Sequence, residues 1–303
     1  NPVTCSATDK TGNKASASFK VTVTPSSSAA VTVKLLASNG NGLSGGVVQY
    51  YSGGWKSFGT TGSDGTVSMA LSPGTYSFKI SYAGATQQLS QNVGTNPNVV
   101  FQTTLVTMSL ISSTNTQLGG GAQYYASGWK TFGSGTTTTT MELLSLTYTF
   151  RVSYAGASQQ KSQNVATNPN VVFQTTLVTM QLVSSTNLQL TGGAQYYASG
   201  WKTFGSGTTS TTMELLPLTY TFRISYGGAS QQKSQNVATN ALVTFQTVQV
   251  HSDSGKCTSY HAGGWKMFTQ DMELLPGTYT FRFSDGTANA SYTLVVGAIK
   301  HIH

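Results

Sequence analysis

Charge is what this sequence lacks most. Only 8% of its 303 residues are Asp, Glu, Lys or Arg, against roughly 25% in an average soluble protein. Ser, Thr, Asn, Gln and Gly supply the polarity instead. The eight acids are Asp9, Asp64, Asp253, Asp271, Asp285, Glu142, Glu214 and Glu273. A glycosidase-type carboxylate pair needs two acids converging in one cleft, and acids spaced one per repeat do not build that. There is no Gly-rich phosphate loop, no G-x-S-x-G elbow and no H-E-x-x-H. The expectation is a protein that is not an enzyme, with no catalytic residue and no cofactor. No apolar run reaches 18 residues, so no transmembrane helix is expected. The first residue is Asn1, not Met, and no signal peptide is visible, so the chain reads as a processed or truncated product. The net charge of +8 reflects missing acids, because the Lys and Arg are scattered. A nucleic-acid surface would gather them on one face, so no nucleic-acid partner is expected.

Cysteine and histidine are scarce too. Cys5 and Cys257 sit near opposite ends. In an extracellular chain they can pair, within one subunit or between two. Alternatively, the partner of Cys5 lies upstream of Asn1. All four histidines, His251, His261, His301 and His303, fall near the C-terminus. His301 and His303, two apart on a strand, share a face and have the chemistry to chelate Zn or Cu. Their spacing matches no strong metal signature, so the plainer reading is a divergent terminal unit and no metal.

Repetition is what the sequence does have. "QYYASGWKTFGSGTT" occurs at Gln123 and again at Gln195, with near-copies from Gln49 and Ser259. Trp55, Trp129, Trp201 and Trp265 mark four units. Each of the first three opens on a strand such as "TLVTMSLISSTN" and ends on "NVVFQT" or a variant of it. The segments alternate apolar and polar residues at period two, with Gly, Asn and Ser between them, and no helical period appears. The fold expected is all-β: four tandem small Ig-like or prealbumin-like sandwiches forming a rod, behind an N-terminal hairpin. The boundaries are 1–24 for the hairpin, 25–30 for a linker, then repeats at 31–103, 104–175 and 176–247. A degenerate fourth repeat covers 248–303. "NVVFQTTLVTMSLI" crosses from the first repeat into the second without Gly or Pro, unlike a flexible linker.

Within each hairpin, adjacent rings such as Tyr124 and Tyr125 face opposite sides of a strand. So do Trp129 and Phe132, and one ring of each pair is left outside. The resulting row is Tyr51, Trp55, Tyr125, Trp129, Tyr197, Trp201 and Trp265. It suits lateral contacts between subunits, stacking on sugars, or a ring lying flat on its own sheet under Gln and Lys stems. Glu142, Glu214 and Glu273 each precede an arginine (Arg151, Arg223, Arg282) by nine residues, a spacing that suggests a surface ion pair across neighbouring strands.

The first unit, "VTVKLLASNGNGLSGGVVQYY" with "TTGSDGTVSMALSPGTYSFKISYAG", resembles the Cna B-type and carboxypeptidase-regulatory-like sandwiches of bacterial surface proteins. The resemblance covers about 270 residues and implies a stalk or spacer in a secreted adhesin, pilin or filament. Some members carry a Lys–Asn isopeptide bond promoted by a buried acid. Here Lys34 has Ala70 where the acid would stand, and the units with Glu142 and Glu214 have no first-strand Lys, so no isopeptide is expected. "NPVTCSATDKTGNKASASFKVTV" is similar to the last strands of a hyalin-repeat domain, with Ala17 where that family often has a second Cys. A lone two-stranded hairpin is marginal in water, so it must pack on something.

The reading reached from sequence is a structural subunit of an extracellular filament or surface fibre. It self-assembles end to end by strand donation from the N-terminal hairpin or the C-terminal "SYTLVVGAIKHIH", with the aromatic row as lateral contact. Cys5 and Cys257 form a disulfide, within or between subunits. Partners are copies of the chain itself, with glycans or a host surface as further candidates. The alternative is the stalk of a glycan-binding adhesin. One N-glycosylation acceptor occurs, at Asn289.

Overall fold

A computed structural model of the chain describes residues 2–22, 28–286 and 288–303. Half of the expected linker (25–27), the end of the expected hairpin (23–24), Asn1 and Thr287 lie outside the described residues. The protein is all-β, with small sandwiches in tandem and no helix among the described residues. Two compact units divide it: residues 1–104 with 142–145, and residues 105–141 with 146–303.

In the N-terminal unit, Pro2–Thr8 and Lys14–Lys20 form a two-stranded antiparallel hairpin. Its tip is set by Asp9, whose carboxylate accepts from the Thr11 and Asn13 backbone N–H groups at 2.9 Å each. The Thr11 hydroxyl and the Asn13 side-chain amide, together with those backbone bonds, hold the Asp9 carboxyl at about 2, well below its ordinary value. Ala29–Leu36 then pairs antiparallel with Thr66–Leu71 and parallel with residues 98–102. The facing sheet runs Trp55–Thr60, Val47–Tyr51, Thr75–Tyr82, Ala85–Asn92.

In the C-terminal unit the third repeat shows the plan most completely. Thr176–Val183 is flanked by antiparallel Thr211–Leu215 and parallel Leu242–Gln246. The second sheet runs Trp201–Thr208, Gly193–Tyr197, Thr219–Tyr226, Ala229–Asn236. A parallel pair needs a crossover between its strands, and here the whole second sheet supplies it. Period-two alternation sends Val178, Met180 and Leu182 inward from one sheet and Tyr196, Phe204, Phe222 and Ile224 from the other. The buried rings meet edge to face: Tyr196–Phe204 at 6.2 Å, Phe204–Phe222 at 5.9 Å and Tyr196–Tyr220 at 6.0 Å. Each such pair adds about 0.5–1.5 kcal/mol beyond area burial. The same set of four rings recurs in repeat 2 on Tyr124, Phe132, Phe150 and Tyr148.

Repeat 4 is smaller. Val248–Ser252 pairs with Asp271–Leu274 and with the three-residue strand Lys300–Ile302, parallel. Cys257, Tyr260, Phe281 and Ile302 lie in its core. The C-terminal segment is therefore paired inside its own repeat, with Ile302 fully buried. One of the two segments expected as donors is thus paired within its own chain.

Burial raises the hydroxyls of Tyr148 and Tyr220, pushes that of Tyr279 to about 12 and the Cys257 thiol to about 11. A neutral acid with a raised folded pKa keeps its proton longer folded than unfolded. Its stabilisation is complete below the unfolded pKa and is lost as pH rises above it. The melting temperature should fall from about pH 10 upward, where unfolded tyrosines ionise. Calorimetric scans between pH 8 and 12 check this, and a flat profile would contradict it.

Candidate functional site

Three features could carry function: the joints between repeats, the outer aromatic clusters, and the His/Asp-rich end of repeat 4.

The joints are built from turn chemistry. In "SSTN", the Ser184 hydroxyl oxygen accepts the backbone N–H of Thr186 at 3.1 Å and of Leu188 at 3.0 Å. Asn187 takes the left-handed conformation at φ 63°, which Asn tolerates better than most residues. The tightened turn presents the N–H and hydroxyl of Ser185 outward. Glu273, on the strand Asp271–Leu274 of the next repeat, receives both: Ser185 N–H at 3.2 Å and Ser185 Oγ at 2.5 Å. The hydroxyl of Thr247, buried between the two repeats, donates to Glu273 Oε2, the oxygen that also accepts the Ser185 N–H. Glu214 repeats the arrangement with Ser113 N–H at 3.2 Å, Ser113 Oγ at 2.5 Å and Thr175 Oγ1 at 2.5 Å. Within the N-terminal unit, Glu142 does the same with Ser38 Oγ at 2.6 Å and Thr103 Oγ1 at 2.5 Å. Hydrogen bonds to an ionised acceptor are the stronger kind.

A second contact completes each joint in the C-terminal unit. The two-residue turn Ala155–Gly156 has positive φ at both residues, as a tight hairpin requires. Its Ala155 carbonyl accepts the Tyr196 hydroxyl at 2.9 Å, and the Gly227 carbonyl accepts the Tyr260 hydroxyl at 2.8 Å. A Cβ at Gly228 would lie 2.8 Å from the Ala262 carbonyl oxygen and closer still to the Lys266 stem. Only glycine allows this approach.

These glutamates overturn the expected ion pairs with Arg151, Arg223 and Arg282. The chain crosses from one sheet to the other between each Glu and its Arg, so the nine-residue spacing spans two layers. The arginines lie on the outer aromatic clusters instead. Arg151 stacks 4.0 Å above Trp129 and donates from Nε to Gln123 Oε1 at 2.9 Å. Arg223 covers Trp201 at 3.9 Å with Gln195 as its acceptor, and Arg282 covers Trp265 at 4.0 Å. Lys79 takes this place over Trp55 at 4.3 Å. Tyr51, Tyr125 and Tyr197 meet their tryptophans edge-on at 5.5–5.6 Å. In repeat 4 the ring beside Trp265 is His261. Tyr124 and Phe132 are buried while Tyr125 stays half-exposed. Each indole thus has one face occupied by a cation, and the tyrosine is the open ring.

Cys5 is exposed on the hairpin and Cys257 is buried in the repeat 4 core, and neither is disulfide-bonded in the structure. Joining Cys257 to another chain would require opening that core. His301 and His303 lie beside Asp253 at the end of repeat 4.

No protein-family model and no curated protein matches the sequence. Solved structures with some likeness include the Bacillus anthracis TIE protein, at 13% identity and TM-score 0.22. The aligned region covers 78% of this chain and 54% of that one, so the chain spans about half its length. BcpA, the major pilin subunit of Bacillus cereus, aligns at 10% identity and TM-score 0.20, over 72% of this chain and 98% of that one. A streptococcal ancillary pilin aligns at 12% identity and TM-score 0.18, over 90% and 98%. Overlaps this low carry no weight for function.

Glu273→Ala removes the acceptor of the Ser185 N–H and hydroxyl and leaves the Thr247 hydroxyl only the Val183 carbonyl at 3.3 Å, and should weaken the joint by about 2–3 kcal/mol. Nearest-neighbour coupling holds a repeat array together, so repeat 4 should melt separately and earlier in a calorimetric scan. An unchanged transition would show that the joint does not depend on this carboxylate. In native protein, a maleimide should label Cys5 within minutes and leave Cys257 unmodified until denaturant is added. Mass spectrometry of the labelled peptides reads this out, and early labelling of Cys257 would refute its burial.

Proposed function

We propose that the chain is a structural segment of an extracellular surface fibre, whose repeats are locked in series by the glutamate joints. The observation that carries this is the repetition of one joint. The same carboxylate, serine and threonine recur at each step from one repeat to the next. The recurring unit is therefore a mechanical connection and not a cleft. A surface with few charges suits close stacking of copies with little salt dependence.

End-to-end assembly would not reuse this joint. Ala70 stands where the glutamate would be in repeat 1, and Asp253 where the receiving serine would be in repeat 4. The surface that supports assembly is the N-terminal hairpin. Its register sets Val3 against Phe19, Cys5 against Ala17 and Ala7 against Ala15 on one face. The other face carries Thr4, Ser6, Ser16 and Ser18, and both strands are exposed throughout. An apolar sheet face in water calls for a cover, and a second copy of the chain is the cover proposed, with this hairpin as the donated element.

The chain should sediment as a concentration-dependent oligomer or form fibres visible in negative stain. Removing residues 1–22, or introducing Phe19→Asp, should leave single particles. A wild type that stays monomeric at several hundred micromolar would defeat the assembly reading. A second reading, a glycan-binding stalk, is favoured by the half-exposed Tyr125 and Tyr197 beside their tryptophans. A glycan-array signal lost in the Tyr125→Ala, Tyr197→Ala double variant would establish it.

A further inference from the structure

The end of repeat 4 breaks the pattern of the other repeats. In repeat 3 the outward positions of Thr176–Val183 and Leu242–Gln246 hold Thr179, Gln181, Leu242, Thr244 and Gln246, with no imidazole and no acid, and the third strand has Thr212 opposite Thr179. In repeat 4 three adjacent strands bring such groups together. His251 is the register partner of His301 on one side and of Asp271 on the other. Asp253 follows His251 by two residues, and His303 follows His301 by two, so all four project from one sheet face.

The side chains converge on the Asp253 carboxylate. His301 Nδ1 lies 2.6 Å from Asp253 Oδ1 and His303 Nδ1 lies 2.7 Å from Oδ2. His251 Nε2 is 3.7 Å from Oδ1. The donor atoms of His251, Asp253 and His301 all lie within 4.8 Å of one another. A tetrahedral ion bound at about 2.0 Å sets its ligand atoms about 3.3 Å apart. The observed separations bracket that value for His251, Asp253 and His301, and His303, at 2.7 Å from the second Asp253 oxygen, is the nearest further imidazole to complete the set.

A further contact points the same way. His251 Nδ1 is 2.8 Å from the Asp271 carboxylate. A carboxylate there holds the proton on Nδ1 and leaves the Nε2 lone pair facing Asp253. Carboxylate–imidazole pairs of this kind orient metal-ligating histidines. No such partner is needed for a solvated surface histidine.

We propose that His251, Asp253, His301 and His303 form a binding site for a divalent transition-metal ion of the zinc class, oriented by Asp271. Three imidazoles and one carboxylate suit zinc, copper or nickel, whereas calcium and magnesium take all-oxygen shells. The ion would tie Lys300–Ile302, a three-residue strand, to Val248–Ser252, and so close repeat 4 at its far end. This does not rest on the fibre reading.

Titration of the full chain with zinc chloride at pH 7.4 in a non-chelating buffer should show one ion per chain by calorimetry. His301→Ala should reduce the affinity at least 100-fold, and Asp271→Asn by 10–100-fold. His261→Ala, which changes the histidine stacked on Trp265, should leave the affinity unchanged. Asp253→Asn keeps the side-chain size and should also weaken binding. Melting curves without metal establish that each variant is folded. X-ray absorption of the zinc-loaded protein should show only nitrogen and oxygen neighbours, with imidazole scattering. The proposal is overturned by absence of saturable uptake, by equal loss in His261→Ala, or by a sulfur neighbour, which would place the ion at a cysteine.

Discussion

A carboxylate at the edge of a β-sandwich needs donors, and the joints of this protein are organised around that need. Glu214 and Glu273 each leave their own sheet edge to take hydrogen bonds from a serine N–H, a serine hydroxyl and a buried threonine hydroxyl of the preceding repeat. The threonine sits in the one-residue interval between the last strand of one repeat and the first strand of the next. The joint therefore depends on both chain continuity and a carboxylate. The "SSTN" turn, the Thr in "FQT" and the Glu in "MELL" are parts of one device, although they lie about 40 to 100 residues apart in the chain.

Around that device the rest of the repeat is conventional β-sandwich physics. Period-two alternation places one aromatic of each adjacent pair inward, and the inward rings pack edge to face. The outward ring is held against its own sheet by an arginine that is itself anchored by a glutamine. A cation over an indole is worth about 0.5–1 kcal/mol at an exposed site. The exposed aromatic row is thus partly a stabilising feature of each repeat, and tyrosine supplies most of what remains open.

The two ends of the array differ from its interior in a physically consistent way. In repeat 1 the glutamate position holds Ala70. In repeat 4 the position of the receiving serine holds Asp253, which would repel an incoming carboxylate. The histidines at that end surround Asp253 instead. At the other end the hairpin keeps an apolar face of Val3, Cys5, Ala7, Ala15, Ala17 and Phe19 uncovered.

By itself, the sequence determined the all-β class, the four-fold repetition and the inward or outward facing of each ring, because period two and tight-turn residues are local properties of the chain. Phe132 inside and Trp129 outside follow from a three-residue spacing on one strand. What only the tertiary structure decided is which groups meet across layers and repeats. Glu214 and Arg223 look like partners in sequence but lie on opposite sheets, because the chain crosses the sandwich between them. His251, Asp271 and His301 are distant in sequence yet become neighbours through strand register. Register between non-consecutive strands is set by packing of the whole sandwich, and no local pattern encodes it.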